Sequence, residues 1–400
     1  MKRSLLFAPR SLALLTTGTG LIAATYGLVR LAYGLFLPDV QAELAMSDGT
    51  AGLIASGTSL AYCLAAAISL ATAHRPRLLV IAAAVTAGGG ALGMAAAPGV
   101  ATFAVLAVVS SAGAGFASPA LVAIVRRNLA AAAHGRAQAI VNAGTGPGLV
   151  GAGLLALVLL PQWRVAWAVA AVFTVVVAGA VLVLDRDGSG GPLERATLPP
   201  RSWYTDHVLV IASTLLLGAA SAAVWTYGRT VLVEAGMADR TTVAAWIAIG
   251  LGGAAVVSTA RWVSGLQPTT AWVVTTLTVA GATAALGAVP SHFVLAMLAC
   301  MLFGWGFVAA TGALIAWTTR IDEQRAAAGT SLLFVVLVLG QAGGSSLSGL
   351  LIEARGAALT FAVAGLLALG AGCLPLVRSG RKRRTSVRSR RVPATSGRRG

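Results

Sequence analysis

Charge is what this chain has least of. Only 10% of its 400 residues are Asp, Glu, Lys or Arg. Soluble domains carry about a quarter charged residues, so a water-exposed globule is excluded. Cysteine is nearly absent: Cys63, Cys300 and Cys373 fall in separate apolar runs, without metal-ligand spacing or the makings of a disulfide framework. The motifs of metal, nucleophilic or nucleotide chemistry are missing too, with no HExxH, no Gly-x-Ser-x-Gly and no phosphate-binding Gly-Lys-Thr/Ser. No catalytic residue, metal or cofactor is therefore expected, and an enzyme is disfavoured. The twelve acids (Asp39, Glu43, Asp48, Asp185, Asp187, Glu194, Asp206, Glu234, Asp239, Asp322, Glu323 and Glu353) all fall at or beyond the ends of apolar runs. So do the four histidines, His74, His134, His207 and His292.

What is present in excess is apolar length. Hydrophobic residues make up 57% of the chain and recur in runs of twenty or more. Such runs mark membrane spans, and the lack of period-two alternation selects helices over a barrel. Twelve spans are expected, at about 11–37, 51–73, 78–97, 101–125, 137–160, 165–184, 207–227, 242–262, 270–289, 293–318, 329–351 and 357–377. The 48 glycines suit helices that pack through small residues. The start, MKRSLLFAPR, resembles a signal peptide, but its apolar run continues to Leu37 and reads as a retained first span.

The net charge of +17 would suggest nucleic acid if it were spread over the chain. Ten of the 29 basic residues instead lie from Arg378 onward, and the remaining 19 bases against 12 acids leave +7. This tail, 378–400, is expected to be disordered and drawn to anionic lipid rather than to nucleic acid. Twelve spans place both termini on one side, and 14 loop bases fall on that side against four on the other. The bias predicts a multi-pass protein of the cytoplasmic (inner) membrane with both termini cytoplasmic. A Gly- and Pro-containing polar stretch, 185–206, reads as a cytoplasmic linker between halves 1–184 and 207–377. The halves echo each other: GAGF at 113–116 parallels GWGF at 304–307, each ahead of a basic turn and a Gly-rich span.

One cation lies inside a span. Arg30 sits in YGLVRLAYGLFLP, residues 26–38, and a guanidinium at that depth faces a bundle interior or a polar path. At 100° per residue Thr19, Tyr26, Arg30 and Tyr33 share one face, beside a Gly20, Gly27, Gly34 stripe. Arg30 between two tyrosines can offer a planar, bidentate donor to a carboxylate. Candidate partners from other spans are Gln138 and Asn142 in the fifth, Trp225 in the seventh and Gln341 in the eleventh. Ser111 and Ser118 in the fourth span and Thr214 and Ser221 in the seventh also align. Proline at 119 and 147 predicts bends. Asp39 and Glu353, close to spans near the outer face, are the candidates for coupling transport to protons.

Six spans, a linker and six spans resemble the major facilitator superfamily over nearly the whole chain. More narrowly, Gly27, Arg30, Tyr33, Gly34 and Pro38 resemble the first span of its YbfB/YjiJ-like branch, with Leu31 where Phe is usual. The loop ATAHRPRL at 71–78 lacks the acid of the superfamily's usual motif there, which puts its cytoplasmic latch in doubt. Asn142 and the displaced Gly151 and Gly153 depart from the drug-antiporter pattern. The resemblance implies an all-α membrane protein with twelve helices in two six-helix bundles, working as a monomer by alternating access. A small organic solute, an anion favoured, would bind Arg30 with Tyr26, Tyr33 and Asn142 shaping its pocket. The alternatives are proton-coupled efflux of drugs or metabolites, and a membrane sensor or accessory subunit that transports nothing.

Overall fold

A computed structural model describes residues 8–186 and 199–389, with side chains to 376. Twelve helices long and apolar enough to cross a membrane are found among them. They are α1 Pro9–Leu44, α2 Asp48–Thr72, α3 Pro76–Ala96, α4 Val100–Asn128, α5 Ala131–Leu159, α6 Trp163–Leu184, α7 Arg201–Glu234, α8 Asp239–Gly265, α9 Pro268–Ala288, α10 Phe293–Ile321, α11 Ala326–Arg355 and α12 from Ala357. Each covers one of the expected apolar runs to within a residue, and most extend past it at one end or both. Hydropathy marks the hydrocarbon crossing, whereas a helix ends where its backbone finds another partner. Ser47 supplies such a partner at the start of α2, its Oγ accepting from the Thr50 N–H at 3.2 Å. Proline opens α1, α3 and α9, where a missing N–H costs nothing.

The final helix is continuous from Ala357 to Ser389, into the segment expected to be disordered from Arg378. Its Arg and Lys are good helix formers, and no proline interrupts them before Pro393. The remainder of that tail, 390–400, and linker residues 187–198 lie outside the described residues. Pro119 stands inside an unbroken α4, so the bend expected there is not a break. α5 is interrupted at Ala143–Gly144, just ahead of Pro147.

The helices divide into two sets of six with the same packing scheme. In the first set α1 packs on α5 and α6, α2 on α4, and α3 on α4 and α6. In the second set α7 packs on α11 and α12, α8 on α10, and α9 on α10 and α12. Adding six to each helix of the first set reproduces the second, so the repeat suggested by GAGF and GWGF is a repeat of architecture. The halves meet where α1 faces α7, α2 faces α11, and α5 faces α8. Adding six also exchanges the last two contacts, as a two-fold relation between the halves requires.

Glycine makes the closest approaches possible. A Cβ on Gly27 would collide with the Gly148 backbone of α5, and one on Gly34 with the Trp225 carbonyl of α7. Gly20 instead faces Val177 of α6. The seven-residue glycine stripe thus seats α1 against three helices.

Candidate solute site between the halves

The site starts from an irregularity in α1. Residues Ala23–Leu31 form a π-helical stretch within that span. Wider turns of this kind often mark functional positions, and they break the 100° phase used to align side chains. The expected single face of Thr19, Tyr26, Arg30 and Tyr33 is accordingly split. Thr19 donates to the Ile140 carbonyl of α5 at 3.3 Å. The Tyr26 hydroxyl pairs with that of Tyr62 at 3.1 Å. Tyr33 donates to the Ala51 carbonyl at 3.0 Å and has no free hydrogen for a solute.

Arg30 itself points between the halves. Its Nη2 donates to Gln341 Oε1 of α11 at 3.1 Å, and its guanidinium carbon lies 4.8 Å from the Tyr62 ring centre. That ring comes from α2, so the aromatic surface beneath the cation is neither of the tyrosines expected. Arg30 Nε is buried and unpartnered. No carboxylate lies within ion-pair distance of Arg30 among the described residues.

Two cavities share Arg30, Tyr33 and Thr58 as a wall. The one between the halves adds Ser59 from α2, Trp225 and Thr226 from α7, and Gln341 and Ser345 from α11. It encloses about 380 Å³ of empty space, its mouth included. Trp225 Nε1 is another buried donor without a partner. The second cavity, about 190 Å³, lies inside the first half against Ser111 of α4 and Trp167 of α6.

At the end of the molecule away from the termini, a second arginine is buried. The expected spans 11–37 and 207–227 stop short of Asp39 and Arg229, but α1 and α7 run past both residues. The Arg229 side chain is 1% exposed and forms an ion pair with Asp39, whose side chain is 13% exposed. It also donates to the Leu35 carbonyl at 2.7 Å and to Thr242 Oγ1 at 3.0 Å, with Asp239 at 3.5 Å. The reading of a single buried cation with no acid at its depth is therefore corrected: it holds at Arg30 and fails at Arg229. Neighbouring contacts reinforce this closure. Glu353 of α11 accepts from the Gly49 N–H at the start of α2 at 3.0 Å, and Tyr227 donates to the Asp48 carbonyl at 2.6 Å. Ser56 of α2 bonds Ser346 of α11 at 2.6 Å.

At the terminal end, Asp185 supplies what the 71–78 loop lacks. Its fully buried carboxylate pairs with Arg127, accepts from Asn128 Nδ2 at 2.7 Å, and lies 3.7 Å from Arg77. The acid expected to open a linker thus ties the ends of α4 and α6 to the start of α3.

Of the candidate solute residues, Arg30, Tyr33, Trp225 and Gln341 meet at one cavity, with Tyr26 behind Tyr62. Gln138 and Asn142 do not reach it. They bond each other at 3.0 Å on α5, with Asn142 exposed, in the stretch ahead of the break at Ala143–Gly144. Sequence reasoning missed Tyr62, Thr58, Ser59 and Thr226. Tyr62 had one legible signal, as the lone tyrosine in an apolar span.

A profile of the Major Facilitator Superfamily matches residues 19–328. No curated protein sequence is detectably similar to the chain. Among solved structures, the chain resembles a bacterial homolog of the human lysosomal transporter Spinster, inward-facing and unoccupied, at 14% identity and a TM-score of 0.71 over 93% of this chain and 96% of that one. It resembles the nucleoside transporter NupG at 11% identity and 0.74, over 92% and 99%. It resembles a D-xylose-proton symporter at 14% identity and 0.72, over 91% and 96%. These identities establish a shared fold alone. With twelve helices in two matching sets and a profile spanning more than half its length, the chain belongs to the Major Facilitator Superfamily and is a transporter, not an enzyme.

Proposed function

We propose that the chain is a secondary transporter that carries a small organic anion across the cytoplasmic membrane by alternating access, as a monomer. The observation that carries the charge preference is Arg30, a cation at the interface of the halves with a buried free Nε and no acid beside it. An uncompensated charge in a low-dielectric interior is costly, and an entering anion relieves that cost. The neutral amide of Gln341 takes one Arg30 donor across the interface. An anion displacing that amide would exchange a direct bond between the halves for one through the solute. Trp225 and Tyr33 would frame the solute, and Tyr26 would hold Tyr62 beneath the guanidinium. Gln138 and Asn142 would be met on the way in rather than at the site.

The Arg229–Asp39 pair and its neighbours hold the far end shut. The excess of basic residues puts the terminal end in the cytoplasm, so we read this state as inward-facing. The basic tail would rest on anionic lipid. On Gly27, Arg30, Tyr33, Gly34 and Pro38 we place the chain near the YbfB/YjiJ-like branch. A sensor or accessory subunit would need no polar cavity between its halves, which favours a carrier. Uptake of a labelled carboxylate panel into proteoliposomes is the test. The expected result is uptake that Arg30→Ala removes while leaving the protein folded; undiminished uptake by that variant would overturn the reading.

A second reading, proton-coupled efflux of drugs or metabolites, is favoured by the burial of Asp39 at the interface. Protonating it would release Arg229 and loosen the far end. That reading predicts substrate-driven proton movement that Asp39→Asn abolishes and Glu353→Gln weakens.

A further inference from the structure

We infer that the solute is a short monocarboxylate bearing a hydroxyl group, a conclusion that rests on the anion reading above. The charge count fixes the first half of this description. The cavity presents one cation and no acid, so one negative charge is neutralised and a second would enter a low-dielectric site unpaired.

The hydrogen-bonding inventory fixes the second half. Two residues that line the cavity from opposite halves carry a buried donor without a partner, Arg30 at Nε and Trp225 at Nε1. An indole N–H and a guanidinium N–H can only donate, so the ligand must bring an acceptor to each. Trp225 is 9% exposed and held edge-on by Trp246 at 6.0 Å and by Phe303 and Phe307 at 5.4 Å, so its N–H cannot turn away to find another partner. The same wall carries hydroxyls with unused lone pairs. Thr58 donates to its own helix at the Ala55 carbonyl at 2.7 Å, which leaves its oxygen free to accept. Thr226 of α7 and Ser345 of α11, both in the second half, share one long contact of 3.4 Å. A carboxylate satisfies Arg30. A hydroxyl oxygen satisfies the rest, accepting from Trp225 and donating to Thr58, Thr226 or Ser345. The cavity, about 380 Å³ with its mouth included, keeps the solute small.

The test is titration of the purified full chain in nanodiscs with L-lactate, propionate, malonate and glycerol, read by calorimetry. Lactate is expected to bind at least tenfold tighter than propionate, which leaves the Trp225 N–H unpaired, and than malonate, which carries a second charge. Glycerol is expected not to bind. Trp225→Phe, which keeps the ring and removes the donor, should bring the lactate-to-propionate ratio close to one, with the melting temperature reporting that the fold is retained. Propionate binding as tightly as lactate, or malonate binding tightest, overturns the inference and leaves the anion reading standing. Glycerol binding as tightly as lactate, or lactate binding unchanged in Arg30→Ala, overturns the anion reading itself. Failure of all four to bind overturns the inference.

Discussion

Arg30 and Arg229 are the same side chain, both at the seam between the halves, in opposite circumstances. Arg229 is saturated: an acid from α1, a backbone carbonyl, a threonine and a second acid surround it. Arg30 has a neutral amide, an aromatic face and an idle Nε. A charge whose partners are all protein atoms holds protein together. A charge whose pairing is incomplete is poised for something that comes and goes. The two positions thus separate closure of the far end from recognition of the solute, although both bridge α1 to the second half.

Mutations can test that separation. The largest effect is expected from Arg229→Ala, which strands Asp39 in a buried setting and should cost about 3–5 kcal/mol. Thermal unfolding would show it, and adding Asp39→Asn to the same protein should recover part of the loss. If Arg229→Ala left the melting temperature unmoved, the far-end pair would not be a clasp. Next comes Arg30→Ala, expected to weaken solute binding about a hundredfold, or ~2.7 kcal/mol, while melting changes little. A large fall in stability there would mean that Arg30 is a strut like its counterpart. Arg30→Lys should recover only part of the binding, since an ammonium cannot reproduce the planar fork. Smaller still is Tyr62→Leu, which removes the ring under the guanidinium and should weaken solute binding by about 0.5–1 kcal/mol. Glu353→Gln should have the least effect, because a neutral amide oxygen can still accept from the Gly49 N–H; cross-linking between α2 and α11 at the far end would report any loosening.

Much of the architecture was legible from composition. Twelve apolar runs became twelve spanning helices, and the GAGF and GWGF echo foreshadowed the six-plus-six repeat of packing partners. Arg30 stood out because a guanidinium in a bilayer needs a reason. The details around it were hidden for two reasons. Hydropathy follows the solvent rather than the helix, so α1 and α7 were judged to stop before Asp39 and Arg229, and a buried ion pair was divided into two loop charges. The π-helical turn at Ala23–Leu31 leaves no mark in Ala-Ala-Thr-Tyr-Gly, so the helical wheel drawn through it misaligned Tyr26 and Tyr33. The same limit explains Gln138 and Asn142, whose i, i+4 spacing fitted a mutual hydrogen bond as well as a pocket.

The order of residues along the chain is sufficient to dictate how many times it crosses the bilayer, that it does so as helices, and that one cation must lie within. Those are consequences of transferring side chains and peptide groups out of water, and they need no partner. Which tyrosine lies under Arg30, which acid meets Arg229, and whether either arginine is left wanting depend on helices hundreds of residues apart being brought side by side. Such contacts are set by glycine-mediated packing and by one widened turn, and they exist only once the two halves have met.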